Sequence, residues 1–154
     1  MQIIDFTDDF AEDFATLNRE WLEKYFYVEA IDRRILSDPK GEIIEHGGHI
    51  LFARLGDRVV GTVALKHQGE GVYELTKMAV TAREQGAGIG RALMLAAIGR
   101  FNALDGKMLY LETNSSLSIA INLYQSAGFV HARHPEASDY ARSDTYMIYA
   151  PDEK

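Results

Sequence analysis

The chain of 154 residues contains no cysteine, no excess of positive charge and no long hydrophobic run. Without cysteine there is no disulfide bond, no thiolate zinc site and no cysteine nucleophile, which suits the cytoplasm. No apolar run approaches the roughly 20 residues that span a bilayer, and Met1–Phe6 shows no signal-peptide pattern, so we expect no membrane association. A net charge of −7 disfavours nucleic acid as a partner, because phosphate backbones require a basic surface.

The length and a hydrophobic fraction of 47% predict a single domain, residues 1–154, with a substantial core. Residue periodicity predicts the order strand, two helices, three strands, helix, strand, helix and two strands. The strand–helix–strand unit around the helix after Gly90 predicts a parallel pair in a mixed sheet. We therefore expect an α/β (α+β) fold. Two polar, glycine-bearing segments, Gly41–Gly48 and Lys66–Gly71, are expected to be loops.

A glycine-rich stretch, Gln85-Gly86-Ala87-Gly88-Ile89-Gly90-Arg91, joins a predicted strand to a predicted helix. Alternate glycines leave backbone N–H groups uncrowded beside the helix N-terminus, where unpaired donors and the helix dipole favour a phosphate. The dinucleotide motif G-x-G-x-x-G does not fit, because Arg91 stands where its third glycine belongs. The P-loop does not fit either, because no Lys-Ser or Lys-Thr pair follows the glycines.

Two motifs together resemble a known family. Gln85-x-x-Gly88-x-Gly90, preceded by Met78-Ala79-Val80, is similar to the acetyl-CoA pyrophosphate loop of the GNAT acetyltransferase superfamily. Leu123-Tyr124 followed by Gly128-Phe129 resembles the superfamily helix that lines the other side of the coenzyme. The resemblance extends firmly from about Ile50 to Phe129. The particular residues of the two motifs are similar to those of small stand-alone bacterial members.

The resemblance implies a mixed, mostly antiparallel twisted sheet of about seven strands, with a parallel pair in the middle and about four flanking helices. It also implies acetyl-CoA as co-substrate and no metal; the two histidines of His46-Gly47-Gly48-His49 are by themselves a weak ligand set, so we predict no metal site. The family often carries an asparagine seven residues before the tyrosine, where this chain has Leu117, so Asn114 and Asn122 are both candidates for the pantetheine contact. The implied coenzyme contacts are Met78, Ala79, Val80, Gln85, Gly86, Ala87, Gly88, Ile89, Gly90, Arg91, Asn114 and Tyr124.

Acyl transfer from a thioester to an amine needs a base for the amine, a donor for the thioester oxygen and an acid for the leaving thiolate. The resemblance implies the Met78 backbone N–H as the oxygen's donor and Tyr124 as the acid. Glu74 is the candidate base, with Glu112 on the neighbouring strand in reserve. Because Glu74 and Met78 are four residues apart on one strand, we expect their side chains on the same face.

The predicted function is N-acetylation of a primary amine on a small molecule or amino acid, by direct attack in a ternary complex. A peptide or protein acceptor and a non-catalytic acyl-CoA sensor remain alternatives. The bulky segment Trp21–Tyr27 favours a closed acceptor pocket, and Tyr140, Arg142 and Asp144 are candidate acceptor contacts. Small members of the superfamily are often dimers, so a homodimer is compatible with the sequence, although no residue decides it.

Overall fold

The computed structural model describes residues 1–153, which form seven strands and five helices. The strands are β1 (Gln2–Asp5), β2 (His49–Leu55), β3 (Arg58–Gly69), β4 (Val72–Val80), β5 (Met108–Thr113), β6 (Phe129–Ala132) and β7 (Thr145–Tyr149). The helices are α1 (Ala11–Tyr25), α2 (Ala30–Ser37), the single turn α3 (Pro39–Glu42), α4 (Ile89–Ala103) and α5 (Ser118–Ala127). None of the helices in this described part is both long and apolar enough to cross a bilayer.

The seven strands form one sheet in the order β1-β2-β3-β4-β5-β7-β6. Only β4 and β5 run parallel, which confirms the predicted mixed sheet with a central parallel pair. Helices cover both faces of the sheet. Since successive residues of a strand point in opposite directions, neighbouring residues of β2 contact different cores. Leu51 and Ala53 belong to the core cluster under α4, whereas Ile50 and Phe52 belong to the cluster under α1 and α2.

A β-bulge interrupts β4 at Lys77. The pairing register between β3 and β4 shifts between Thr62 and Ala64, and Lys77 adopts a left-handed φ of 54°. One extra residue reverses the alternation of side chains beyond it.

This bulge corrects one expectation from the sequence. Tyr73 and Leu75 contribute to the α4-side core before the bulge, and Met78 and Val80 pack against that same core after it. The side chain of Glu74 therefore points to the opposite face from that of Met78. The prediction that the two side chains share a face is wrong, because it assumed an unbroken strand.

The strands β4 and β5 separate soon after they meet. Their parallel pairing covers only Val72–Glu74 against Met108–Tyr110. The rest of β5 continues to pair with β7 on its other side, up to Thr113. The backbone of β4 beyond Glu74 consequently has a free edge, and a cleft opens between the two strands.

Two segments predicted as loops are partly regular. Strand β3 continues to Gly69, because cross-strand pairing with the start of β4 satisfies the backbone of its polar residues. The segment that begins at Gly41 contains the end of α3, which starts at Pro39 and is capped by Asp38 through a 3.0 Å hydrogen bond from the Gly41 N–H. Neither of these differences from the prediction alters the position of the cleft.

Candidate active site

The cleft between β4 and β5 contains a cavity of about 80 Å³ and is partly open to solvent. Side chains from both strands, from α1 and α5 and from the β6–β7 loop line it. The lining includes Trp21, Phe26, Glu74, Lys77, Glu112, Asn114, Tyr124, Tyr140 and Arg142. No three histidine, aspartate or glutamate side chains of residues 1–153 are grouped so that they could hold a metal ion.

Glu74 lies at the point where β4 parts from β5, and only 6% of its surface is exposed. Burial, together with the nearby charge of Glu112, raises the pKa of the Glu74 carboxyl to about 7. The hydrogen bond that Gln68 Nε2 donates to it is long, at 3.5 Å. Glu74 is therefore a weakly engaged carboxyl that can take up or release a proton near neutral pH.

Glu112 lines the same cleft but has partners on both oxygens. His134 Nε2 contacts Oε1, and the Ser138 hydroxyl donates to Oε2 at 2.9 Å. The same hydroxyl accepts the Tyr140 backbone N–H at 3.1 Å. Glu112 thus holds the β6–β7 loop over the cleft, which makes it less suited than Glu74 to serve as a base.

Tyr124 reaches the cleft from α5. Its ring packs edge-on against Phe129, with centroids 6.1 Å apart. Burial raises the pKa of the Tyr124 hydroxyl to about 12, so this group keeps its proton at neutral pH. A protonated hydroxyl can donate to a developing anion.

The glycine-rich loop before α4 presents unpaired backbone donors. Gly86 and Gly88 adopt left-handed φ angles of 87° and 82°, and no atom lies within 4 Å of a Cβ built on either one. The first helical hydrogen bond runs from the Ala92 N–H to Gly88, so the N–H groups of Ile89, Gly90 and Arg91 have no acceptor inside the helix. This open, positively polarised end fits a pyrophosphate.

Two residues of this loop that were predicted to contact the coenzyme have side chains that bind other groups of the protein. The Gln85 amide donates to the Val80 carbonyl at 3.2 Å and so ties the loop to the end of β4. The Arg91 guanidinium donates to the Ser126 hydroxyl at 3.2 Å and ties α4 to α5. Ala87 is exposed in the loop, whereas Ile89 is buried and offers only its backbone.

The structure separates the two candidate asparagines. Asn114 lines the cleft, but its Nδ2 donates to the Arg142 carbonyl at 2.8 Å and its Oδ1 accepts the Ser116 N–H at 2.9 Å. Asn122 is exposed on α5 outside the cleft lining. Of the three candidate acceptor contacts on the β6–β7 loop, Tyr140 and Arg142 line the cleft, whereas Asp144 bonds to Ser115 outside it.

A buried ionic cluster forms part of the cleft wall, and it was not predicted from the sequence. Lys77 Nζ donates to Asp32 Oδ1 at 2.7 Å and to the Tyr140 hydroxyl at 3.1 Å. Arg142 donates to both oxygens of Asp32, at 2.7 and 2.9 Å, and to Glu29 at 3.0 Å. Although burial alone would raise it, the Arg142 hydrogen bonds and the Lys77 charge lower the pKa of Asp32 to about 2.

Half of this cluster left a signal in the sequence. Asp32 precedes the buried residues Ile35 and Leu36 by three and four positions, so it stands on the buried stripe of α2. Lys77 left none, because only the bulge turns its side chain to the face of the sheet that α2 and Asp32 cover.

Comparison with known proteins agrees with this geometry. The sequence profile of the acetyltransferase (GNAT) family matches residues 5–129. The uncharacterized N-acetyltransferase YvbK of Bacillus subtilis is 29% identical over 104 residues, which are 66% of this chain and 67% of that protein.

Solved structures share the fold. A GNAT-family acetyltransferase from Staphylococcus aureus superposes with a TM-score of 0.86 at 16% identity, over 97% of this chain and 98% of that one. The proposed acetyltransferase yncA from Salmonella typhimurium, solved with its cofactor acetyl-CoA, gives 0.76 at 18% identity, over 100% and 95%. These likenesses establish the fold, and the profile match over most of the chain shows that the protein belongs to the acetyltransferase (GNAT) family, which transfers acyl groups from acetyl-CoA.

Proposed function

We propose that this protein is an N-acetyltransferase that moves the acetyl group of acetyl-CoA to a primary amine of a small molecule or amino acid. The observation that carries the proposal is Glu74, a buried carboxyl with a pKa near 7 where β4 and β5 part. A base with this pKa works best near neutral pH. A non-catalytic acyl-CoA sensor would need neither this carboxyl nor the protonated hydroxyl of Tyr124 in the same cleft.

The coenzyme follows the free edge of β4 in this proposal. Its pyrophosphate binds the backbone donors of the loop from Gln85 to Arg91, and Gly86 and Gly88 leave room for it. The pantetheine arm pairs with the backbone of Met78, Ala79 and Val80, as an added strand would. Asn114, the asparagine that lines the cleft, is the proposed side-chain contact to that arm.

The reaction proceeds by direct attack. Glu74, directly or through water, removes a proton from the bound ammonium, and the neutral nitrogen attacks the thioester carbon. The Met78 backbone N–H stabilises the oxyanion, independently of the direction of the Met78 side chain. The carbon–sulfur bond then breaks, and Tyr124 donates its proton to the leaving thiolate. The attacking nitrogen loses its second proton to solvent, and solvent returns a proton to Tyr124. The products are an amide, coenzyme A and one released proton.

The acceptor side favours a small molecule. Trp21 and Phe26 line the cleft, and their rings lie 5.8 Å apart. The β6–β7 loop closes another side, where Glu112 and Glu29 hold it through hydrogen bonds. A peptide needs an open groove, so a peptide or protein acceptor is the second candidate. The cytoplasmic location and the homodimer remain predictions.

The test is a panel of small amines and amino acids, assayed for thiol release from acetyl-CoA. We expect at least one amine to stimulate thiol release with wild-type protein, and Glu74→Gln to abolish most of that release while acetyl-CoA still raises the melting temperature. If acetyl-CoA raises the melting temperature of wild-type protein but no small amine stimulates release, the small-amine proposal fails and peptide acceptors become the better candidates. If acetyl-CoA gives no shift, the coenzyme site itself is misplaced.

A further inference from the structure

The two cations that line the cleft are already neutralised. Lys77 and Arg142 both contact Asp32, which is fully buried, and Arg142 also contacts Glu29. The Arg142 guanidinium additionally lies over the Tyr140 ring at 4.4 Å, so one of its faces is covered. Because the pKa of Asp32 is about 2, this compensation persists at every pH at which the enzyme would work.

The carboxylates of the cleft are not neutralised in the same way. Neither Glu74 nor Glu112 forms an ion pair with Lys77 or Arg142. The partners of Glu112 are a histidine and a serine, and a carboxylate can accept about four hydrogen bonds. Lys66 and Lys77 contribute positive charge near Glu74, and Asp139 contributes negative charge. Of these three only Lys77 lines the cleft, and its ion-pair partner is Asp32.

An amino acid acceptor would bring its carboxylate into this environment. It would meet two ionisable carboxyls and no cation without a partner among the described lining residues, and burial of a like charge there is unfavourable. A second positive charge would instead find Glu112 and the aromatic faces of Trp21 and Phe26.

From this charge arrangement, and resting on the proposed N-acetyltransferase function, we propose that the acceptor is a small diamine. One primary amine reacts beside Glu74, the other carries the positive charge that Glu112 and the aromatic wall receive, and no carboxylate is present. Amino acids, which belong to the broader substrate class proposed above, are therefore excluded as acceptors.

The test compares three acceptors that share an aliphatic chain. Cadaverine is lysine without its carboxylate, and pentylamine is cadaverine without its second amine. We expect kcat/KM for cadaverine to exceed that for each of the others by at least about tenfold, since one close charge pair in a partly buried site is worth that much. Calorimetry of the three compounds with the coenzyme A complex of the protein should rank affinities in the same order, whether or not turnover is seen.

Two variants identify the residues responsible. Glu112→Gln should reduce the advantage of cadaverine over pentylamine, mainly through KM. Glu29→Gln, which removes one of the two carboxylate partners of Arg142, should raise the efficiency with lysine relative to cadaverine. Asp32→Asn should do so more strongly, and Glu29→Gln serves where the buried Asp32 variant does not fold.

The outcomes separate the two proposals. If lysine binds and reacts as well as cadaverine, the carboxylate-free acceptor is refuted, while the N-acetyltransferase function stands. If pentylamine equals cadaverine, the second cation is refuted. If cadaverine binds best in calorimetry but no amine is acetylated, the diamine site is supported and the catalytic proposal fails. If none of the three compounds binds, the diamine proposal is wrong.

Discussion

Replacement of Glu74 by glutamine should remove catalysis and at the same time make the protein less sensitive to pH. Glutamine keeps the size of the side chain and resembles the protonated carboxyl. As general base, Glu74 must be deprotonated, so kcat/KM of the wild type should rise about tenfold per pH unit below pH 7 and level off above it. In the variant, kcat should fall on the order of 10²–10⁴-fold, and this limb of the profile should disappear.

The stability effect has a definite sign and size. The folded-state pKa of Glu74 is about 7 and the ordinary value is 4.5, so between these pH values the folded protein holds a proton that the unfolded chain has lost. Stability from this group is fully present below about pH 4.5 and is lost as the pH rises through 7. A shift of this size corresponds to roughly 3 kcal/mol, so Glu74→Gln should gain about that much relative to wild type between pH 4 and pH 8.

Urea unfolding of both proteins at several pH values measures this difference. Glu45→Gln is the matched control, because Glu45 is an exposed glutamate outside the cleft lining and its replacement should leave both the pH–rate and the pH–stability profiles unchanged. Two results would refute the reasoning. One is a pH–stability curve of Glu74→Gln parallel to that of the wild type. The other is an unchanged acidic limb in its kcat/KM profile.

Three further changes test other parts of the site. Tyr124→Phe keeps the ring that packs on Phe129 but removes the acid, so kcat should fall about a hundredfold while the dissociation constant for coenzyme A stays the same. Gly88→Leu should abolish coenzyme binding in calorimetry. Gly69→Leu is the control, because Gly69 also has a positive φ and open space but lies at the end of β3 opposite to the loop; it should cost a similar amount of stability, about 1–2 kcal/mol, yet bind normally. Asp32→Asn should lower the free energy of unfolding by about 3–5 kcal/mol in urea titrations, because it leaves buried cations without their carboxylate.

Each of these predictions has an outcome that contradicts it. Unchanged turnover of Tyr124→Phe would make that tyrosine a packing residue only. Normal coenzyme affinity of Gly88→Leu would place the phosphates elsewhere. An Asp32→Asn protein as stable as wild type would mean that the cations find other partners or reach water.

The sheet and its helices were predictable because the hydrophobic periodicity agrees with the turn and capping residues along most of the chain. The pattern Met78-Ala79-Val80, the alternate glycines and the helix after Gly90 define a strand–loop–helix unit whose family resemblance the profile match confirms. Strand β3 was predicted too short, since the polar residues Lys66–Gly69 gain a strand conformation only through pairing with β4.

The placement of the candidate site could be predicted where it depends on local sequence: Glu74 and Tyr124 line the cleft and Gly88 directly precedes α4, while the roles of all three stay predictions. It was not predictable where the contact depends on a backbone irregularity. The bulge at Lys77 turns that side chain toward Asp32, 45 residues away in sequence, and separates the faces of Glu74 and Met78. Local propensity carries no information about such an extra residue, because the partner strand and the buried ion pair stabilise it.

The most direct test of the central claim is initial-rate kinetics of thiol release with acetyl-CoA and cadaverine varied together. Direct attack in a ternary complex predicts intersecting lines in the double-reciprocal plot, no acetylated protein by mass spectrometry, and N-acetylcadaverine as the product. Parallel lines with an acetylated protein would contradict the direct attack. Absence of thiol release with cadaverine and with every other small amine would contradict the claim that this cleft acetylates a small amine.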